Sequence, residues 1–209
     1  MVTYVVRVWL PDRPGALGQV ASRIGAVRGD VVGIEILERG GGSAIDELVV
    51  DLSDEVGVDL LVSEIKQVDG VAVEDVRIVA PDRQEMGMAA LEIAARLIET
   101  APSERLARLC VELVDLVDGE WSAALRVDEA AVEAEHGACP DIGWLSAFLA
   151  GSRHLDEATQ ASSAPGDLAW THLDGRQLSV AVGRRSRPFH ARERQQVNLL
   201  GRIAVGLLG

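Results

Sequence analysis

The stretch Val6-Arg7-Val8-Trp9-Leu10-Pro11-Asp12-Arg13-Pro14-Gly15-Ala16-Leu17 decides the fold of the first part of this chain. From Thr3 to Leu10, the residues Tyr4, Val6, Val8 and Leu10 lie on one side of a period-two ladder while Arg7 interrupts the other, so a strand is expected. Beyond the Pro11 to Gly15 turn, Leu17, Val20, Ala21, Ile24 and Val27 recur at helical spacing until Gly29-Asp30. That pattern predicts a helix of about three turns with a glycine stop. Pro14 has no N–H, so the donors at the helix start are those of Gly15, Ala16 and Leu17. With the helix dipole adding about half a positive charge there, they can receive a carboxylate, and Gly15 puts no Cβ in its way. The same Pro and Gly also suit a tight turn needed for geometry alone.

Outward from this stretch, Val31 to Glu38 alternates, with Val32, Ile34 and Ile36 on one face. Gly40-Gly41-Gly42-Ser43 turns the chain into a second strand, Ile45 to Leu52. Ser53-Asp54 is placed to cap a helix whose Val58, Leu61, Ile65 and Val68 share a face, and Asp69-Gly70 ends it before a strand from Val71 to Val79. The order strand, helix, strand, strand, helix, strand is the ferredoxin-like arrangement, in which both helices cover one face of a four-stranded antiparallel sheet. Its other face must be solvated or covered by something else.

Residues 3 to 79, with the strand Val6 to Leu10 running into Asp12-Arg13-Pro14-Gly15-Ala16-Leu17, resemble an ACT domain and its D/N-x-P-G-x-L loop. The resemblance implies a regulatory module that binds an amino acid or similar small molecule, with contacts from Asp12, Arg13, Gly15, Ala16, Leu17, Asp30 and Val31. It also implies pairing into a homodimer. Many such domains carry Asn where this chain has Asp12 and Asp30. An aspartate cannot donate to a ligand carboxylate, and each would repel an anion by about 3 kcal/mol at ~5 Å and an effective dielectric of about 20. The two aspartates would instead hold an ammonium group, which favours a neutral or cationic amino acid or an empty site. Asp30 also has a plain reading as a turn residue.

Ala80-Pro81-Asp82-Arg83 separates this domain, residues 1–80, from a second one, 84–209. There Met86 to Thr100 and Ser103 to Val117 read as amphipathic helices, the second capped by Ser103, and Trp121 to Val127 as a strand. Asp128 to Pro140 reads as acidic and irregular. Asp141 can cap a short helix with Ile142, Trp144, Leu145, Phe148 and Leu149, and Gly151 to Gly166 reads as a loop. Leu168 to Leu173 and Arg176 to Gly183 form a hairpin around Asp174-Gly175, and a long helix follows Pro188-Phe189. This order resembles a small GAF-like domain, so the whole chain is expected to be α+β, ferredoxin-like and then mixed α/β.

Composition narrows the function. The net charge is -13, with seven basic against fourteen acidic residues over 1–80, so a broad nucleic-acid surface is disfavoured. The arginines of the tail (Arg184, Arg185, Arg187, Arg192, Arg194 and Arg202) read as a solvated helix face or an anion-binding patch. No apolar run is long enough for a membrane helix and Met1 to Tyr4 lacks the start of a signal peptide, so a cytoplasmic protein is expected. Cys110 and Cys139 are too few for a disulfide framework and lack the partners of a zinc site. Cys139 lies near His136 and Asp141, the types needed for a thiol nucleophile, yet equally a surface turn. Trp121, Trp144 and Trp170 either line a pocket or anchor a core. No phosphate loop, nucleophile elbow or metalloprotease motif occurs. The expectation is therefore a non-catalytic amino-acid sensor with no cofactor. The alternatives are an enzyme using the 128–154 region and a structural dimer with a decayed site.

Overall fold

The computed structural model describes residues 1–53, 57–155, 165–173 and 177–207. The chain divides into two compact units, Met1–Glu85 and Met86–Gly209.

In the first unit the elements are β1 (Val2–Pro11), α1 (Ala16–Ala26), β2 (Asp30–Gly40), β3 (Ser43–Leu52), α2 (Val58–Ile65) and β4 (Ala72–Val79). They build an antiparallel sheet of order β2-β3-β1-β4. Val6, Val8 and Leu10 of β1 and Ala44, Leu48, Val50 and Leu52 of β3 pack against Val20 and Ile24 of α1 and Leu61 and Ile65 of α2. Each of these valines, leucines and isoleucines contributes roughly 1.5–3 kcal/mol by leaving water. This is the α+β, ferredoxin-like arrangement that the alternation and helical spacing predict.

The opposite face of that sheet carries a cluster of ions beside the buried Val5 and Ile45. Arg7 lies directly across from Glu47 in the β1/β3 register and donates to its Oε2 from Nη2 at 2.8 Å and Nε at 3.2 Å. Arg77 and Arg83 reach the other carboxylate oxygen at 3.2 Å each. Burial alone would push the Glu47 carboxyl up; Arg77, Arg7 and Arg83 together outweigh it and hold it below the ordinary carboxylate range. The residue that breaks the alternation in β1 thus belongs to a buried network centred on Glu47.

Three expectations for this unit need correction. The even alternation of Val32, Ile34 and Ile36 is interrupted: β2 is an edge strand with register shifts between Val31 and Gly33 and between Ile36 and Glu38, Val32 falls in the first shift without a register partner, Ile34 and Ile36 stand opposite Leu48 and Asp46, and all three side chains are exposed. Helix α2 is entered through Gly57 with no side-chain cap, so Ser53 does not cap it; Asp54 lies outside the described residues. Val68 packs with the core from beyond the end of α2.

The second unit runs α3 (Met86–Glu99), α4 (Arg105–Leu116), β5 (Trp121–Arg126), β6 (Ala131–Gly137), α5 (Ile142–Ser152), β7 (Leu168–Leu173), β8 (Leu178–Gly183) and α6 (Ala191–Leu207). The sheet order is β6-β5-β8-β7, antiparallel throughout. Ile93 and Leu97 of α3, Leu109 and Leu113 of α4 and Val197 and Leu200 of α6 cover one face of it over Ala124, Val180 and Val182. Leu145 and Leu149 of α5 cover the other over Ala123, Leu125 and Ala181. Being buried on both faces, β5 and β8 are mostly apolar, broken internally only by the buried Ser122 and Ser179 at their second positions, rather than alternating.

Here too the sequence pattern misleads in places. The segment expected to be irregular contains β6, whose Glu133, Glu135 and His136 give it the polar character of an edge strand. Ser103 sits inside a 3-10 turn, Pro102–Glu104, and no side chain caps α4. Helix α5 extends to Ser152, into the expected loop, and the Asp174-Gly175 turn lies outside the described residues. No helix of the described residues is long and apolar enough to cross a membrane.

Candidate functional site

The loop between β1 and α1 is anchored at both ends. Asp12 donates its N–H to the Gly42 carbonyl at 3.0 Å, tying the loop to the β2–β3 turn, and Arg13 donates to the Pro11 carbonyl at 2.8 Å. Gly70, at a φ of 75°, makes room for the Pro11 ring, which would stand 2.8 Å from a Cβ there. Gly15 then enters α1 with a φ of 88°, a left-handed conformation that glycine adopts without penalty. A Cβ built on it meets nothing within 4 Å, so the space in front of the helix start is open.

No side chain caps α1. Of the first-turn donors, that of Ala16 is engaged by the Arg13 carbonyl at 3.3 Å. The N–H groups of Gly15, Leu17 and Gly18 are therefore the ones that can meet a ligand. Gly18 was not among the expected donors, and Ala16 is buried and contributes least.

Asp12 and Arg13 are exposed beside this opening. Asp12 accepts an ion pair from Arg39 at 3.3 Å, so its charge is already partly answered. Asp30 and Val31 lie elsewhere. Asp30 is exposed and pairs with Asp51, whereas Gly40, at the loop end of the same strand, pairs with Ser43. Eight residues of β3 separate those rows, which at about 3.4 Å per residue is roughly 27 Å. Within one chain, Asp12 and Asp30 cannot hold the same ammonium group. Val31 packs against the core.

Asp46, which nothing in the sequence pattern singles out, stands at the loop end instead. Its register partners are Val8 on β1 and Ile36 on β2, and it shares the helix-covered face with Ala44 and Leu48. It is 3% exposed, and its Oδ1 is buried without a hydrogen-bond partner. Burial pushes its carboxyl up, Arg39 pulls it down and Asp12 pushes it up further, so the three charges sense one another.

In the second unit, Cys139, His136 and Asp141 are not arranged as nucleophile, base and acid. The Cys139 thiol points at the carbonyls of Ser122 and His136, and burial together with Glu135 pushes it up, the opposite of an activated thiolate. The Asp141 carboxylate caps α5 by accepting from the Trp144 N–H at 2.8 Å. Phe148 brings Trp144 and Trp170 together, stacked on the first at 5.8 Å and edge-on to the second at 4.9 Å, while Trp121 packs into the same cluster. The Trp170 indole nitrogen is buried without a partner.

A chain of hydroxyls around His172 also escaped sequence reading. Ser152 donates to the Leu149 carbonyl and stands 3.1 Å from His172 Nε2, with Ser179 2.8 Å from Nδ1. The arginine tail is solvated only in part: Arg185 and Arg202 are exposed, whereas Arg184 is buried, pairs with Glu193 at 2.7 Å and lies over the Phe189 ring at 3.9 Å. Arg194 donates to the carbonyls of Pro165 and Leu168. No group of three metal-ligating side chains occurs among the described residues.

Comparison with known proteins adds a family to this geometry: the ACT domain model matches residues 4–70. Among solved structures, the chain is similar to an unknown protein from Galdieria sulphuraria, at 19% identity and a TM-score of 0.33, over 46% of this chain and 64% of that one. It is similar to the C-terminal domain of the MgtC protein from Mycobacterium tuberculosis at 18% identity and a TM-score of 0.33, over 41% and 95%. The ACT domain from GTP pyrophosphokinase of Chlorobium tepidum follows at 17% and 0.30, over 37% and 97%. No curated protein matches the chain.

Proposed function

With residues 4–70 an ACT domain, we propose that this chain is a cytoplasmic amino-acid sensor whose first unit binds the ligand and whose second, GAF-like unit reads out the bound state without catalysis. The observation that carries the reading is the uncapped start of α1, where Gly15, Leu17 and Gly18 offer N–H groups to open space beside acidic side chains. A zwitterion needs both poles, a donor set for its carboxylate and an acid for its ammonium. The raised thiol of Cys139 and the capping role of Asp141 favour this over catalysis in the 128–154 region.

The working unit of this reading is a homodimer. Strand β2 is a long edge with Val32, Ile34 and Ile36 exposed, the kind of edge that pairs with another strand. An antiparallel pairing of two copies centred on Glu35 would set Asp30 of the partner subunit near Gly40, beside the β1–α1 loop, and so bring together the two aspartates that one chain keeps apart.

A melting screen against the twenty amino acids tests the proposal. Binding to the folded state alone adds about 2.7 kcal/mol at a hundredfold excess over the dissociation constant, so at least one amino acid should raise the melting temperature in a concentration-dependent way. No shift at millimolar concentration would overturn the sensing reading and favour a structural dimer.

A further inference from the structure

We propose that Asp46, on β3 three residues in from the Pro11/Ser43 row where the β1–α1 loop begins, is the residue that holds the ligand's ammonium group, and that Asp12 serves chiefly as the partner of Arg39. The inference rests on the amino-acid reading above for the identity of the ligand, but its own support is independent. Asp46 is the fourth residue of β3, a strand whose other residues on that face, Ala44, Leu48, Val50 and Leu52, are all apolar and packed under the helices. A carboxylate at such a position is costly unless something pairs with it. Here its Oδ1 is shut off from water and receives no hydrogen bond.

The two nearest ionic groups do not meet that need. Arg39 lies on the same face, its register partner being Ala44, and offsets the Asp46 charge in part, but it pairs with Asp12 at 3.3 Å, is more than half exposed and gives Asp46 Oδ1 no hydrogen bond. Asp12 carries the same sign as Asp46 and makes the position worse. Ala44 and Leu10, which follow Asp46 and Val8 toward the loop, are register partners in the row next to Pro11 and Ser43, so the unpaired carboxylate sits just inside the turn that presents the free N–H groups. A cation arriving there gains a desolvated, charge-assisted hydrogen bond, whereas one arriving at Asp12 meets an exposed carboxylate that Arg39 already partly neutralises.

The consequence is a dissociation of roles that a merely structural carboxylate would not produce. Asp46→Asn keeps the shape, removes a buried charge that Arg39 offsets only in part and should leave the protein as stable or more so, while it removes the ammonium contact.

The experiment is calorimetry on the full chain with three proteins: wild type, Asp46→Asn and Asp12→Asn. The probes are the twenty amino acids, the carboxylic acids that match them without the amine, and the amines that match them without the carboxylate. We expect Asp46→Asn to weaken binding of the responding amino acid tenfold or more and to leave its des-amino acid unchanged. Asp12→Asn should weaken the amino acid by no more than about threefold, as for an exposed ion-pair residue. Equal affinity of Asp46→Asn and wild type, or equal losses for amino acid and des-amino acid, would overturn the assignment while leaving the sensing reading intact. If no amino acid binds but an amine binds wild type and not Asp46→Asn, the sensing reading falls and Asp46 stands as a cation holder. If neither class binds at millimolar concentration, both fall.

Discussion

At Gly15 the chain turns with a φ of 88° into a helix start that no side chain caps. Replacing it with alanine adds a Cβ that touches nothing, so the whole cost is the left-handed backbone, about 1–2 kcal/mol. Urea unfolding of Gly15→Ala should show a loss of that size; a loss several times larger would mean that the loop is packed more tightly than described. Arg184 makes a contrasting case, since it and Glu193 are both buried and bonded at 2.7 Å. Glu193 also accepts from the His190 N–H at 2.8 Å, which caps α6. Arg184→Met should therefore cost about 3–5 kcal/mol by stranding the Glu193 carboxylate, and adding Glu193→Leu should recover part of it, readable as a non-additive double-mutant cycle. Cysteine reactivity supplies a third test. Burial pushes the Cys110 thiol up to about 11, and Cys139 is only half-buried, so a thiol reagent at pH 8 should label Cys139 first. Prior labelling of Cys110 would contradict the packing of α4.

Strands at the edges of the two sheets are where pattern and structure part company. Strand β2 has the alternation of a half-buried strand, yet its two register shifts and its edge position leave Ile34 46% and Ile36 38% exposed. A charge there should break strand pairing between copies and spare the fold. Ile34→Lys should convert the proposed dimer to a monomer by light scattering, with a change in the unfolding free energy of the single chain within about 0.5 kcal/mol. A wild type that scatters as a monomer would remove the dimer from the account. Strand β6 shows the reverse: Val132 and Ala134 among Glu133, Glu135 and His136 look too polar for a strand, because an outer edge needs no apolar face.

Across the whole molecule, a buried carboxylate held by several arginines in each unit contributes to the response to acid. Glu47 is ringed by Arg77, Arg7 and Arg83. Glu112 of α4 accepts from Arg96 Nε and Nη2 at 2.8 Å each and pairs with Arg108 at 2.7 Å. Burial would raise both carboxyls, but the arginines outweigh it and both are lowered. Such groups bind fewer protons folded than unfolded, so their stabilisation is present above the unfolded value, about 4.3, and is lost as pH falls through the lower folded one. Each unit should weaken on acidification below about pH 4.3. Glu47→Gln and Glu112→Gln should each flatten that dependence in urea titrations across pH 3 to 7. Asp46, with its carboxyl raised, carries the opposite sign: its destabilising charge appears as pH rises, so Asp46→Asn should gain stability at neutral pH relative to acid.

Local chemistry alone determined the order of elements in the first unit, because Val6, Val8 and Leu10 alternate with period two, Val20 and Ile24 keep helical spacing, and Pro14-Gly15 can only be a turn. It also determined where free N–H groups would stand, since a helix start leaves them whatever surrounds it. What lies next to them was decided by strand register, which no short stretch of chain encodes. Register sets Asp46 beside Val8 under the loop and moves Asp30 to the far end of the sheet. It also brings Arg7 against Glu47, forty residues away in sequence, and a charge reads as exposed until the partner that pays for its burial is in place.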